Sequence, residues 1–175
     1  MTVNNIVNMA KIKGLDVIAL TDHNSAKNCP AFLEAAKAAE IKAFPGIEIN
    51  TSEEVHAVCL FRELNSAMEF DKYIYDRLPG IQNRSDIFGD QIILDKFDNQ
   101  TGSVDKLLIN AANISVFELK SLMDEYGGIY FPAHVDRDSF SLISNLGFVP
   151  EDLVADGIEF KSMDNYHRIL NLNPC

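Results

Sequence analysis

The sequence predicts an α/β fold with mainly parallel strands. Two observations carry this: strand-length apolar runs alternate with helical segments, and several of those runs stop abruptly at polar residues able to do chemistry. The clearest run is Leu15-Asp16-Val17-Ile18-Ala19-Leu20-Thr21-Asp22-His23-Asn24, with five apolar residues among its first six. Such a run reads as a strand buried on both faces, as in a parallel sheet covered by helices. Thr21, Asp22, His23 and Asn24 then fall at the strand's C-terminal end, where ligands collect in barrels and open α/β sheets. The alternative is an Asx-type turn in which Asp22 and Asn24 only cap backbone groups.

Taken in order, 2–13 reads as a helix, with Thr2 as N-cap, Ile6, Val7 and Ala10 facing inward and Gly14 as the stop. The strand 17–21 follows. Pro30 then opens a helix over 31–40, rich in Ala, Glu and Lys. Pro45 and Gly46 predict a bend, with a short strand starting near Ile47. Residues 55–61 form a further strand. Ser66 and Glu69 have capping-box spacing for a helix over 66–78, ended by Pro79-Gly80. The pattern weakens over 81–113, where 91–97 reads as a strand or helix edge and 98–102 as a turn. This is the expected place for family-specific decoration. Ser115 and Glu118 form a second capping box before a helix stopped by Gly127-Gly128. A strand over 129–133 leads into His134, followed by a helix over 139–146 and a last strand over 156–160. About five strands result on the usual βα spacing.

The 175 residues suit one domain, with 47% hydrophobic and 23% charged residues. A net charge of −11 opposes general affinity for phosphate backbones, so a nucleic-acid partner is not expected. The three cysteines, Cys29, Cys59 and Cys175, make no disulfide framework, and Cys59 reads as a small buried hydrophobe. With no signal segment and no membrane-length apolar run, the expectation is a reduced, cytoplasmic protein with no membrane partner.

Three of the four histidines share one kind of place: His23 and His134 just after strands, His56 at a strand's start. Glu48 lies in or at the end of another strand. A single histidine so placed is commonly a core or capping residue, but three with a carboxylate suggest a metal centre. Neutral imidazole and carboxylate suit zinc, manganese or iron, and a glutamate can bridge two ions. His167 lacks a strand context and reads as exposed.

Thr21-Asp22-His23, Pro45-Gly46-Ile47-Glu48, Glu54-Val55-His56 and Pro132-Ala133-His134 resemble successive motifs of the PHP (polymerase and histidinol phosphatase) domain, in that family's order. The resemblance covers nearly the whole chain. It implies a distorted seven-stranded β/α barrel with divalent metals at its C-terminal mouth, and hydrolysis of a phosphate ester by metal-activated water. By position, His23, Glu48, His56 and His134 would be metal ligands, with Glu48 bridging. Asp22 would be a catalytic neighbour that orients or tunes its histidine. Arg137 suits a phosphate contact, a surface salt bridge being the alternative. The family's His-x-His and Asp-x-His motifs are not found. The resemblance therefore implies one partial PHP-like domain over 1–175, an incomplete barrel lacking its first and last strands. Impaired turnover and homo-oligomerisation through exposed edges are then expected. The expected substrate is a phosphorylated small molecule or nucleotide. Two alternatives remain: a non-catalytic fragment or assembly module, and a hydrolase of other esters or amides.

Overall fold

The computed structural model describes residues 1–172. Helix α1 (Val3–Ile12) starts at Thr2, whose side chain accepts from Asn5 N, and ends at Gly14, where φ is +66°. Strand β1 (Val17–Leu20), helix α2 (Cys29–Ala38) and strand β2 (Lys42–Asn50) form one βαβ unit, with Pro30 in the first turn of α2. A tight turn then leads into β3 (His56–Phe61), which is followed by α3 (Leu64–Arg77). Next come the short helix α4 (Ser85–Phe88) and a two-stranded hairpin of β4 (Ile92–Leu94) and β5 (Gln100–Ser103). After it lie α5 (Leu119–Tyr126), β6 (Gly128–Pro132), α6 (Leu142–Leu146) and α7 (Met163–Leu172).

The main sheet has the order β1-β2-β3-β6. Only the β1–β2 pairing is parallel; β3 runs against β1, β2 and β6 and pairs antiparallel with β2 and β6. This corrects the mainly parallel sheet expected from the sequence, because β2 and β3 are joined by a short turn rather than a crossover helix. Thr51 N donates to Val55 O and Glu54 N to Thr51 O, which closes that turn.

Three further differences have local causes. Strand β2 runs unbroken through Pro45 and Gly46. Pairing with β1 ends at Pro45 and pairing with β3 begins at Gly46, so the missing proline N–H falls at the handover. Helix α3 starts before Ser66, leaving no side-chain cap there. Of the Ser115/Glu118 box one arm forms, Ser115 N to Glu118 Oε2 at 2.8 Å. The expected last strand is an irregular segment, but it bonds along β6: Asp156 N donates to Tyr130 O and Glu159 N to Pro132 O.

Alternate residues divide the sheet into two faces. Ile47, Ile49, Ala57, Cys59, Phe61 and Tyr130 form the core face, beneath α2, α3 and α5. The registers put Val17, Ala19, Phe44, Glu48, Val58, Leu60, Ile129 and Phe131 on the opposite face. That face is largely open: Val17 is 53% and Ile129 49% exposed. The expectation that β1 is buried on both faces is thus corrected, since β1 is an edge strand with one covered face.

Candidate metal centre

Because β3 is antiparallel to its neighbours, its first residue lies beside the last residues of β2 and β6. His56 at the start of β3 therefore meets His23 beyond β1, Glu48 near the end of β2 and His134 beyond β6. A backbone bridge fixes the first of these. Glu48 N donates to Asp22 O, and Asn24 N donates to Glu48 O, past the end of the regular ladder. His134 follows β6 with φ at +33°, a turn conformation uncommon for a residue with a side chain. Its backbone N–H donates to Glu159 Oε2 at 3.2 Å.

Glu48 sits at the middle. Its Oε1 is 3.2 Å from His56 Nδ1 and 3.5 Å from His134 Nε2, while Oε2 is 3.7 Å from His23 Nδ1. His56 and His23 rings are 4.9 Å apart and those of His56 and His134 5.4 Å. One possible metal set, His23, Glu48 and His56, keeps its ligand atoms within 4.8 Å of one another; His134 flanks it through Glu48. These side chains, with Arg137 and Glu159, line a cleft of about 330 Å³.

The donors fit a divalent ion. Among the described residues, His56 Nδ1 and His134 Nδ1 are buried without a hydrogen-bond partner, the former despite its nearness to Glu48 Oε1. An unpaired buried polar atom is costly, on the order of 1–3 kcal/mol, which a cation would relieve at His56. Burial lowers the His23 pKa more than Glu48 raises it, which leaves a neutral imidazole with a free lone pair. Burial pushes the Glu48 carboxyl up, but His56, His23 and His134 together hold it below its ordinary value. A neutral imidazole beside a carboxylate is the protonation state a metal needs.

The other predicted residues lie as follows. Asp22 turns away from the cluster: its carboxylate accepts from Asn28 Nδ2 at 3.2 Å, and burial raises its pKa. Among the described residues it makes no hydrogen bond to His23, so its proximity acts through charge alone. Arg137 is exposed at the cleft rim and makes no salt bridge among the described residues. His167 is exposed, and Cys175 lies outside the described residues. Two residues beside the cluster were not foreseen. Phe140 stacks on His56 at 4.8 Å and 16°. Glu159 closes the His134 side, and its place at the end of the run 156–160 is the signal that could have found it.

A half-open sheet whose strand ends gather three imidazoles around a carboxylate defines a class of α/β domain with a possible metal-binding group at the strand ends. The PHP domain family matches residues 1–141, and the chain belongs to that family. No curated protein matches the chain in sequence. Among solved structures, the lesion-specific endonuclease Q of Pyrococcus furiosus superposes with a TM-score of 0.59 at 17% identity. That match covers 90% of this chain and 36% of the endonuclease, so the chain spans about a third of that relative's length. A second structure of endonuclease Q holds a 27-mer duplex with an abasic lesion at its active site. A protein described as a metal-dependent phosphoesterase, from Bifidobacterium adolescentis, matches with a TM-score of 0.62 at 15% identity, over 98% of this chain and 77% of that one. An amidohydrolase from Chromobacterium violaceum, solved with sulfate and no metal, matches with a TM-score of 0.60 at 17% identity over the same shares. Among the described residues no helix is long and apolar enough to cross a membrane.

Proposed function

We propose that this domain is a divalent-metal phosphoesterase acting on small phosphate esters. The supporting observation is the placement of Glu48, with one oxygen towards His56 and His134 and the other towards His23. That arrangement would let Glu48 hold a divalent cation together with the flanking imidazoles. Zinc, manganese or iron all accept this donor set. A divalent ion held there supplies Lewis acidity, which lowers the pKa of a water and offsets phosphate charge.

The residues divide the remaining work. His23, Glu48, His56 and His134 bind. Arg137 at the rim offers a planar fork to phosphate oxygens. Phe140 screens one side of His56 from water. Asp22 adds a nearby negative charge that favours cation binding at His23. The activity ascribed to the Bifidobacterium protein, whose fold this chain shares, supports a phosphate ester as ligand. A second reading, a nucleic-acid phosphodiester, is favoured by the fold shared with endonuclease Q. The net charge of −11 weighs against it. The open sheet face supports a partial barrel and self-association of the domain.

The test is hydrolysis with added manganese or zinc, comparing 4-nitrophenyl phosphate, 4-nitrophenyl acetate and an abasic DNA duplex. Release from the phosphate monoester, lost in Glu48→Gln, is the expected result. Turnover of the acetate alone, or of none of the three, overturns the proposal; the latter favours the non-catalytic alternative. Cleavage of DNA alone moves the activity to the second reading.

A further inference from the structure

Residues 81–110, the least patterned stretch of the sequence, are fastened to the mouth of the sheet by side-chain amides. Asn24 Nδ2 donates to Leu108 O at 2.8 Å and Asn110 O at 2.9 Å. Asn28 Nδ2 donates to Ile92 O at 3.2 Å, and Asn28 Oδ1 accepts from Leu94 N at 2.9 Å. Gln91 braces the segment from within: Nε2 donates to Val104 O and Lys106 O, and Oε1 accepts from Leu108 N. Seven hydrogen bonds thus fix this wall before any ligand arrives.

Between this wall and the end of β1 lies a second cavity, of about 390 Å³. His23 lines both it and the metal-site cleft, so one ligand can occupy the two together. Phe88, Ile93 and Leu107 give it an apolar lining. Its charged groups are Asp22, Asp90, Lys27 and the Met1 N-terminal ammonium, whose charge acts on Asp22. The Lys27 ammonium is neutralised by Asp71 Oδ2 at 2.7 Å. Asp22 and Asp90 have no ion-pair partner among the described residues. A second phosphate would face two carboxylates and, among the described residues, one unpaired cation, the Met1 ammonium beside Asp22, which leaves the lining net negative. The volume is at the small end of organic-ligand pockets, roughly 300–1,000 Å³, which suits one ring or a short chain.

We infer that this cavity seats the organic part of the ester, and that it selects a neutral or cationic body with an apolar surface over one bearing a second phosphate. The inference rests on the phosphoesterase reading and names its substrate class. Binding to the manganese-loaded domain by calorimetry at low salt tests it, using inorganic phosphate, benzylphosphonate, 4-(aminomethyl)benzylphosphonate and 1,4-xylylene bisphosphonate. The ring is expected to tighten binding over phosphate by on the order of tenfold. The amine should bind best and the bisphosphonate no better than phosphate. Ile93→Trp, which fills the cavity, should remove the gain from the ring and leave phosphate binding unchanged. Asp90→Lys should shift the amine-to-bisphosphonate ratio by about threefold towards the bisphosphonate. Phosphate bound with no gain from the ring overturns the cavity's role alone, as does a gain that survives Ile93→Trp. A bisphosphonate that binds as well as the amine overturns the selectivity. No phosphate binding at all overturns the phosphoesterase reading and this inference with it.

Discussion

Glu48 is flanked by three imidazoles and accepts no hydrogen bond from any of them, a geometry that invites a cation rather than a proton. Glu48→Gln keeps the shape and removes the charge. Manganese affinity measured by calorimetry should fall at least tenfold, about 1.4 kcal/mol, and the metal-induced rise in Tm should shrink with it. An unchanged isotherm would remove Glu48 from the centre. The cysteines supply a control on the fold. Burial pushes the Cys29 thiol up to about 12 and raises Cys59 further. In a Cys175→Ser background, neither should react with a disulfide reagent at pH 8 until the chain unfolds. The fold favours the neutral Cys29 thiol, so its contribution is complete below the ordinary value of 9.0 and is lost as pH rises from there towards 12. The identity of the four cluster residues was legible in the sequence, because each abuts a strand end. Their spacing was not, because it depends on β3 running antiparallel, which no single residue announces.

At the scale of elements, Gly46 and Asn24 hold the strand ends in place. A Cβ at Gly46 would lie 2.7 Å from Cys59 O and 2.8 Å from Leu60 Cδ2, on the strand that carries Glu48. Since the backbone oxygen cannot move aside, Gly46→Ala should destabilise by about 1–3 kcal/mol in urea melts. Asn24 is buried with φ at +49° and joins three segments: its own turn, Asn50 N through Oδ1, and the carbonyls of Leu108 and Asn110. Asn24→Ala strands those groups, and hydrogen exchange should speed at Asn50 N–H, with about 1–3 kcal/mol lost overall. Tertiary context also explains what local patterns missed here. Pro45 looked like a bend but marks a change of partner within one strand. The hairpin of β4 and β5 follows no hydrophobic period that reveals it, because it is held by amides on other elements.

For the whole molecule, the open face of the main sheet decides behaviour in solution. Val17, Phe44, Leu60, Ile129 and Phe131 share it, and β1 leaves one hydrogen-bonding edge unpaired among the described residues. Apolar surface of this extent beside a free strand edge favours association. The net charge of −11 opposes it at low ionic strength, and salt screens that repulsion within roughly 10 Å at 0.1 M. Light scattering should therefore show a mass that rises with both protein concentration and salt. Val17→Lys and Ile129→Lys place charge on the face without touching the core or the histidine cluster, so they should shift the population towards monomer and leave manganese binding intact. A monomer at every salt concentration would mean that the face stays hydrated on its own. Loss of metal binding in either lysine variant would mean that the face and the centre are coupled through Glu48, which rises from the same surface.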